Sequence, residues 1–267
     1  MIRKPVVAGQ FYTASETLLK KELTGLVLEK KEKINAIGVV SPHAGYIYSG
    51  PVAGEVFSSI KPKSTYIILG PNHTGIGKPF GLDAERDWKT PLGTVGINKE
   101  LANAILKESK HIETDSACHN YEHSIEVQLP FLQFLKNDFD FVPIVISSSD
   151  AKTYKEIGAE IAHAIKETEK NVTIIASSDM THYEPHESAK TKDKKAIEKV
   201  LALDVSGFLD TIAKFDISMC GFAPTAIMMQ ASLELGAKKA KLIKYNTSGD
   251  AFGDYSAVVG YAGIAVY

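Results

Sequence analysis

Three apolar runs in this 267-residue chain each end in a turn that carries a histidine. Ile34–Val40 leads into SPHAGYIYSG (Ser41–Gly50), Thr65–Leu69 into Gly70-Pro-Asn-His73, and Asn171–Ala176 into SSDMTH (Ser177–His182). Short apolar runs closed by turn residues read as buried strands, and unbroken ones belong to parallel sheets covered on both faces. Open α/β sheets bind their ligands in the crevice beyond the carboxyl ends of such strands. The pattern therefore predicts a fold and the place of a site together.

The remaining elements alternate as that fold requires. Helices are expected from Glu16 to Lys31, Pro51 to Ile60, Lys99 to Ser109, Ala151 to Thr168, Lys190 to Ala202 and Val205 to Phe215. An amphipathic helix kinked at Pro130 is expected over Ser124–Leu135, and an apolar one from Cys220 to about Leu235. Further strands are Phe139–Ile146, Lys241–Asn246 and Tyr255–Tyr267, with a hairpin excursion over 80–97 turning at Lys89–Gly93. No linker or repeat divides the chain. One α/β domain spanning 1–267 is expected, with helices on both faces of a mixed, partly parallel sheet.

Composition narrows the partners. With 44% apolar and 23% charged residues and a net charge of -2, the chain has the make-up of an ordinary globular protein. Nothing in that balance calls for nucleic acid or an anionic membrane. The N-terminus lacks a signal-like apolar stretch, and no apolar run reaches the ~18 residues of a membrane span. Two cysteines, Cys118 and Cys220, fit free thiols in a cytoplasmic protein better than a disulfide framework.

His43, His73 and His182 each follow a strand, so the sheet can bring them to one edge. Singly, each could cap a loop; together, imidazoles on loops anchored by strands suit a metal. Asp179 could orient an imidazole, ligate, or simply cap a turn. Cys220 precedes a helix, where a thiolate is stabilised, although a small buried hydrophobe is the simpler role and the one given to Cys118. His119-Asn-Tyr-Glu122-His123 matches the H-x-x-E-H pattern of a zinc peptidase if it is helical, with Glu122 as base. Failing that, His123 or Glu126 could line a pocket. Ser177 and Ser178 lack the glycine frame of a nucleophile elbow.

Seven blocks in order, AGQFYTAS, SPHAGYIYSG, ILGPNHTG, WKTPLG, EHSIEVQLPFL, SSDMTHY and MCGFAPTA, resemble the Memo family (mediator of ErbB2-driven cell motility) in its prokaryotic form. That family is similar to the class III extradiol dioxygenases, whose α/β fold holds a non-haem iron. The resemblance implies His43, His73 and Cys220 as metal ligands for iron or copper. His182 falls where those enzymes keep an acid/base histidine, with Asp179 beside it. The dioxygenases use two histidines and a carboxylate; Cys220 in the third position favours Cu(I) or a redox-active iron. Prokaryotic members occur with an AMMECR1-like and a radical-SAM protein, which implies those as pathway partners.

The expected function is a non-haem metal protein with redox or oxygenase-like chemistry on an unknown small molecule. The competing expectations are a non-enzymatic adaptor that receives a peptide or partner in the same pocket, and an Fe(II) extradiol dioxygenase.

Overall fold

A computed structural model describes residues 1–136 and 138–267. The first half of the chain runs β1 (Ile2–Arg3), α1 (Glu16–Leu26), β2 (Gly38–Ser41), α2 (Tyr46–Ser59), β3 (Thr65–Pro71), β4 (Phe80–Leu82), β5 (Asp87–Thr90), β6 (Gly93–Ile97), α3 (Lys99–Glu108), β7 (Glu113–Thr114) and α4 (Leu129–Leu135). The second half runs β8 (Asp140–Ile146), α5 (Ala151–Glu167), β9 (Val172–Ser177), β10 (His182–Glu184), α6 (His186–Leu201), α7 (Val205–Lys214), α8 (Phe222–Glu234), β11 (Ala240–Thr247), α9 (Gly249–Phe252) and β12 (Val258–Val266).

The sheet follows the order β1-β5-β6-β8-β3-β9-β2-β12-β10. Its centre, β6-β8-β3-β9-β2, is parallel. Antiparallel β12 closes one side of the centre against β2, and β4 lies antiparallel to β8. The sheet is thus mixed, and all three histidine-bearing runs fall on adjacent parallel strands, β3, β9 and β2. Every residue of these strands is buried, as a sheet covered twice demands.

Two glycines show the double cover. Gly38 of β2 backs onto Met228 and Ser232 of α8, whereas Gly263 of β12 backs onto Val52 and Val56 of α2. Val266 pairs with Gly38, so Gly263 stands in the opposite phase of the pleat. Side chains alternate along a strand, which puts α8 and α2 on opposite faces of the sheet. A single core joins both faces, filled by Phe57, Phe131, Phe141 and Phe208 among its fully buried side chains.

Several boundaries differ from expectation for local reasons. The first helix stops at Leu26, not Lys31: the Leu28 N–H donates to Ser58 Oγ, and the charged stretch beyond has no apolar face to bury. The second helix starts at Tyr46 rather than Pro51, because the Tyr46 N–H is anchored on the Phe11 carbonyl and Gly45 accepts the next turn. The expected kinked helix over 124–135 is a 3-10 turn, Glu126–Gln128, running into α4. There Pro130 starts a helix instead of bending one, since its missing N–H costs nothing in a first turn. The hairpin proper is β5 and β6 alone, turning through Thr90–Gly93.

Candidate metal centre

At the carboxyl ends of β2, β3 and β9 lies a pocket of about 490 Å³ lined by His43, His73, His123, Asp179 and His182. Each strand delivers its residue at the same remove. His43 lies two positions beyond Ser41, His73 two beyond Pro71 and Asp179 two beyond Ser177, the last residues of their strands. His123 arrives from the loop ahead of the 3-10 turn. The imidazole centroids of His43 and His73 are 5.2 Å apart, those of His43 and His123 5.5 Å, and those of His73 and His123 4.7 Å. One donor nitrogen from each of these three rings lies within 4.8 Å of the others, close enough for all three to hold one metal ion.

Partners outside the pocket orient the rings. His43 Nδ1 is 3.0 Å from Ser177 Oγ. His73 Nδ1 donates to Glu122 Oε1 at 2.9 Å, and the same oxygen lies 3.4 Å from His123 Nδ1. Glu122 also accepts the backbone N–H groups of His73, His123 and Ser124. Burial works to raise the Glu122 carboxyl, but the His73 hydrogen bond and charge and the Ser124 N–H prevail and hold it down at about 2. A carboxylate that stays ionised while fixing metal-facing imidazoles is the usual support of a histidine metal site. With the Nδ1 atoms of His43 and His73 engaged, Nε2 is the nitrogen each has left to offer a metal.

Two of the imidazoles, His43 and His123, are pushed toward the form a metal needs, neutral with a free lone pair. Desolvation, then the neighbouring His123 and His73, push His43 well below the ordinary histidine value. Burial likewise lowers His123, against the opposing pull of Glu122. Three such nitrogens are intermediate donors that suit zinc, iron or copper alike. The residues present therefore fit a first-row metal, and they do so without the carboxylate ligand of the dioxygenase triad.

Asp179 and His182 also line the pocket, and neither belongs to the histidine triple. Asp179 is buried and accepts the His43 backbone N–H at 2.8 Å. Burial raises its carboxyl to about 6 despite that hydrogen bond. His182 donates from Nδ1 to the Ser218 carbonyl at 2.8 Å, which leaves Nε2 as its basic nitrogen. Next to it, Tyr183 is a bulge residue with φ of 57°, and this bend sets the direction of the β10 strand at the pocket lip.

Cys220 also reaches the site. Its Sγ lies 3.3 Å from His43 Nε2 and accepts the Asp179 N–H at 3.3 Å. It stands outside the triple, touching only His43 among the three. The expected thiolate stabilisation by a helix start is outweighed: desolvation and the Asp179 charge push the thiol up. Gly221 is what lets this loop approach, since a Cβ there would strike the Ser177 carbonyl and the Ser178 side chain.

The structure corrects two readings. His119 does not share a helical face with His123. It ends a 3-10 turn, Ala117–His119, fully buried against Trp88 with Nε2 on the Gly81 carbonyl, so the H-x-x-E-H peptidase arrangement is absent. Glu126 does not line the pocket. It is fully buried and accepts from Arg3, the Val6 and Val7 N–H groups and the Tyr12 hydroxyl, pinning the N-terminal segment. Cys118 is buried, as expected, with its thiol pushed up to about 12 by burial and by Asp115. What the sequence did not reveal is Glu122 as the shared anchor of two rings and Ser177 as a partner of His43. The adjacency of Glu122 to His123 was the available signal, but it was hidden by the helical reading.

Fold and site together define an α/β protein with a histidine pocket, able to hold a metal, at the ends of parallel strands. The profile of the family described as Memo-like protein matches residues 3–265. The chain is 47% identical over 270 residues to a MEMO1 family protein of Methanosarcina acetivorans, covering 99% of each chain. It is 43% identical over 278 residues to one of Methanopyrus kandleri, covering 99% of this chain and 98% of the relative. The chain belongs to the Memo-like family. An uncharacterized protein of Escherichia coli K12 of known crystal structure is similar in fold alone, with a TM-score of 0.58, 12% identity and coverage of 85% of this chain and 98% of its own. Among the described residues no helix is long and apolar enough to cross a membrane.

Proposed function

We propose that this protein is a metal-dependent enzyme, redox or oxygenase-like, acting on a small molecule held in the histidine pocket. The reading is carried by the convergence of His43, His73 and His123, whose supporting hydrogen bonds come from outside the pocket. These three would hold the metal, with iron or copper as the favoured ions. A bound ion supplies a Lewis-acidic and, for iron or copper, a redox-active centre. The protein's own groups handle protons. His182 Nε2 takes a proton from the substrate, and the Nδ1 bond to Ser218 holds the ring in place while it does so. Asp179, raised to about 6, sits where a carboxyl can exchange a proton near neutral pH.

The set His43, His73 and Cys220 is the second ligand choice, favoured by the contact of the thiol with His43 Nε2. Calorimetric titration of the metal-stripped protein with Fe(II) and Cu(I) under anaerobic conditions separates them. One equivalent is expected to bind. His43→Ala and His123→Ala are expected to abolish stoichiometric binding, while Cys220→Ser retains it for iron. Undiminished binding in His43→Ala and His123→Ala overturns the metal reading. Loss in Cys220→Ser but not in His123→Ala transfers the third ligand to the cysteine.

An adaptor role rests on a different observation: Tyr48, Tyr183 and Phe252 stand exposed around the pocket. Partner binding by a protein lacking bound metal would favour it.

A further inference from the structure

Five residues behind His43, Gln128, Ser177 and the backbone carbonyls of Ser41, Pro42 and Ser124, form a hydrogen-bond chain in which each donor and acceptor is fixed by the one before. Gln128 Nε2 lies 3.0 Å from the Pro42 carbonyl and 3.4 Å from the Ser41 carbonyl. Carbonyls only accept, so the side-chain amide must present its NH2 to them, and its orientation is set. The same NH2 lies 2.8 Å from Ser177 Oγ, so Ser177 accepts there. The Ser177 hydroxyl hydrogen then goes to its acceptor carbonyl among the described residues, that of Ser124 at 2.6 Å. A hydroxyl has one hydrogen to give. His43 Nδ1, 3.0 Å from the same oxygen, is left with the donor role. Neutral imidazole carries one N–H, so Nε2 keeps its lone pair.

We infer that Gln128 and Ser177 are positioning residues that lock His43 in the Nδ1–H tautomer and thereby hold its Nε2 lone pair ready for a metal. The whole chain is buried: Ser41, Ser124, Gln128 and Ser177 have no exposed surface. Gln128 Oε1 stays without a partner, an unmet acceptor tolerated in the interior. A lone pair on Nε2 also matches the contact with the Cys220 Sγ at 3.3 Å, whose hydrogen has both this nitrogen and the Asp179 carbonyl, 3.6 Å away, as acceptors. Residues from three separate sequence blocks converge on one proton. His43 comes from SPHAG, Ser124 and Gln128 from EHSIEVQ, and Ser177 from SSDMTH.

The inference rests on the metal reading for its purpose but not for its test. Heteronuclear NMR of the imidazole nitrogens in the metal-free protein, with His43 assigned by its absence in His43→Asn, is expected to show the hydrogen on Nδ1. Ser177→Ala and Gln128→Leu are expected to give a mixture of tautomers and zinc affinity about 10- to 100-fold weaker. Ser177→Thr, which restores the hydroxyl, is expected to recover both. An Nε2–H tautomer in the parent protein overturns the inference, as does an unchanged tautomer in both variants when circular dichroism shows them folded. If His43→Ala leaves zinc affinity unaltered while the tautomer result holds, the metal reading fails and the lock stands.

Discussion

His119 and His123 stand four residues apart, share the segment that contains Glu122, and end in opposite roles. His119 is fully buried, its Nε2 spent on the Gly81 carbonyl and its Nδ1 without a partner beside Trp88. His123 turns the other way, into the pocket, and is held on its Nδ1 side by Glu122. Glu122 and Glu126 repeat the contrast: the first steers two imidazoles, the second ties Arg3, Tyr12 and the N-terminal backbone into the interior. One short stretch therefore feeds a closed region built for stability and an open one built for ligands. The difference lies in where the second face of each side chain points, to protein or to cavity.

The sharpest way to break that division is Glu126→Ala. It strands the buried Arg3 guanidinium and unpairs the Tyr12 hydroxyl and two backbone N–H groups. Removing one partner of a buried ion pair costs about 3–5 kcal/mol, which urea denaturation would read as a lower midpoint. A loss below about 1 kcal/mol would mean that the closed region is not the stabilising one.

Next in size is the pH response of His119. Burial lowers it from 6.5 to about 4, so the unfolded chain takes up this proton first as the solution is acidified. Stability is then full above about pH 6.5 and declines as pH falls toward 4. The difference amounts to about 3 kcal/mol at 1.36 kcal/mol per unit. His43 and His123 contribute slopes of the same sign, so the test is the difference between parent and His119→Leu stability curves in the presence of a chelator. Parallel curves would show that His119 is as easily protonated in the fold as outside it.

The smallest effect should come from Glu122→Gln, and in a different quantity. Weakening the carboxylate that orients His73 and His123 is expected to lower zinc affinity about 10- to 100-fold. That corresponds to about 1.4–2.7 kcal/mol of binding. If the variant lost stability while metal affinity stayed put, the two regions would merge into one.

The sheet was legible because its central strands are continuous apolar runs between turns, a pattern that burial on both faces imposes directly. The places of His43, His73 and Asp179 followed, since a strand end fixes where the next residues must emerge. Chain segments without regular structure hid the rest. Residues 120–125 form neither helix nor strand, so no period says where Glu122 or His123 points. Ser177, by contrast, sits at the last position of β9, yet its role depends on Gln128, 49 residues away in sequence. A hydrogen bond between two distant side chains leaves no trace in either local pattern. Closeness to His123 makes Glu126 a pocket candidate in the sequence, whereas its partners lie in the N-terminal segment from Arg3 to Tyr12.

That last attachment has a consequence in time. Arg3 reaches Glu126 across 123 residues of sequence, and no nearer carboxylate serves it among the described residues. At ribosomal speeds of about 5–20 residues per second, the N-terminal strand waits roughly 6–25 seconds after emerging before its anchor exists. Gln10 and Phe11, which form part of the pocket wall, wait with it. The pocket wall also takes Val259 and Tyr261, so it closes only when residues far apart in sequence have met.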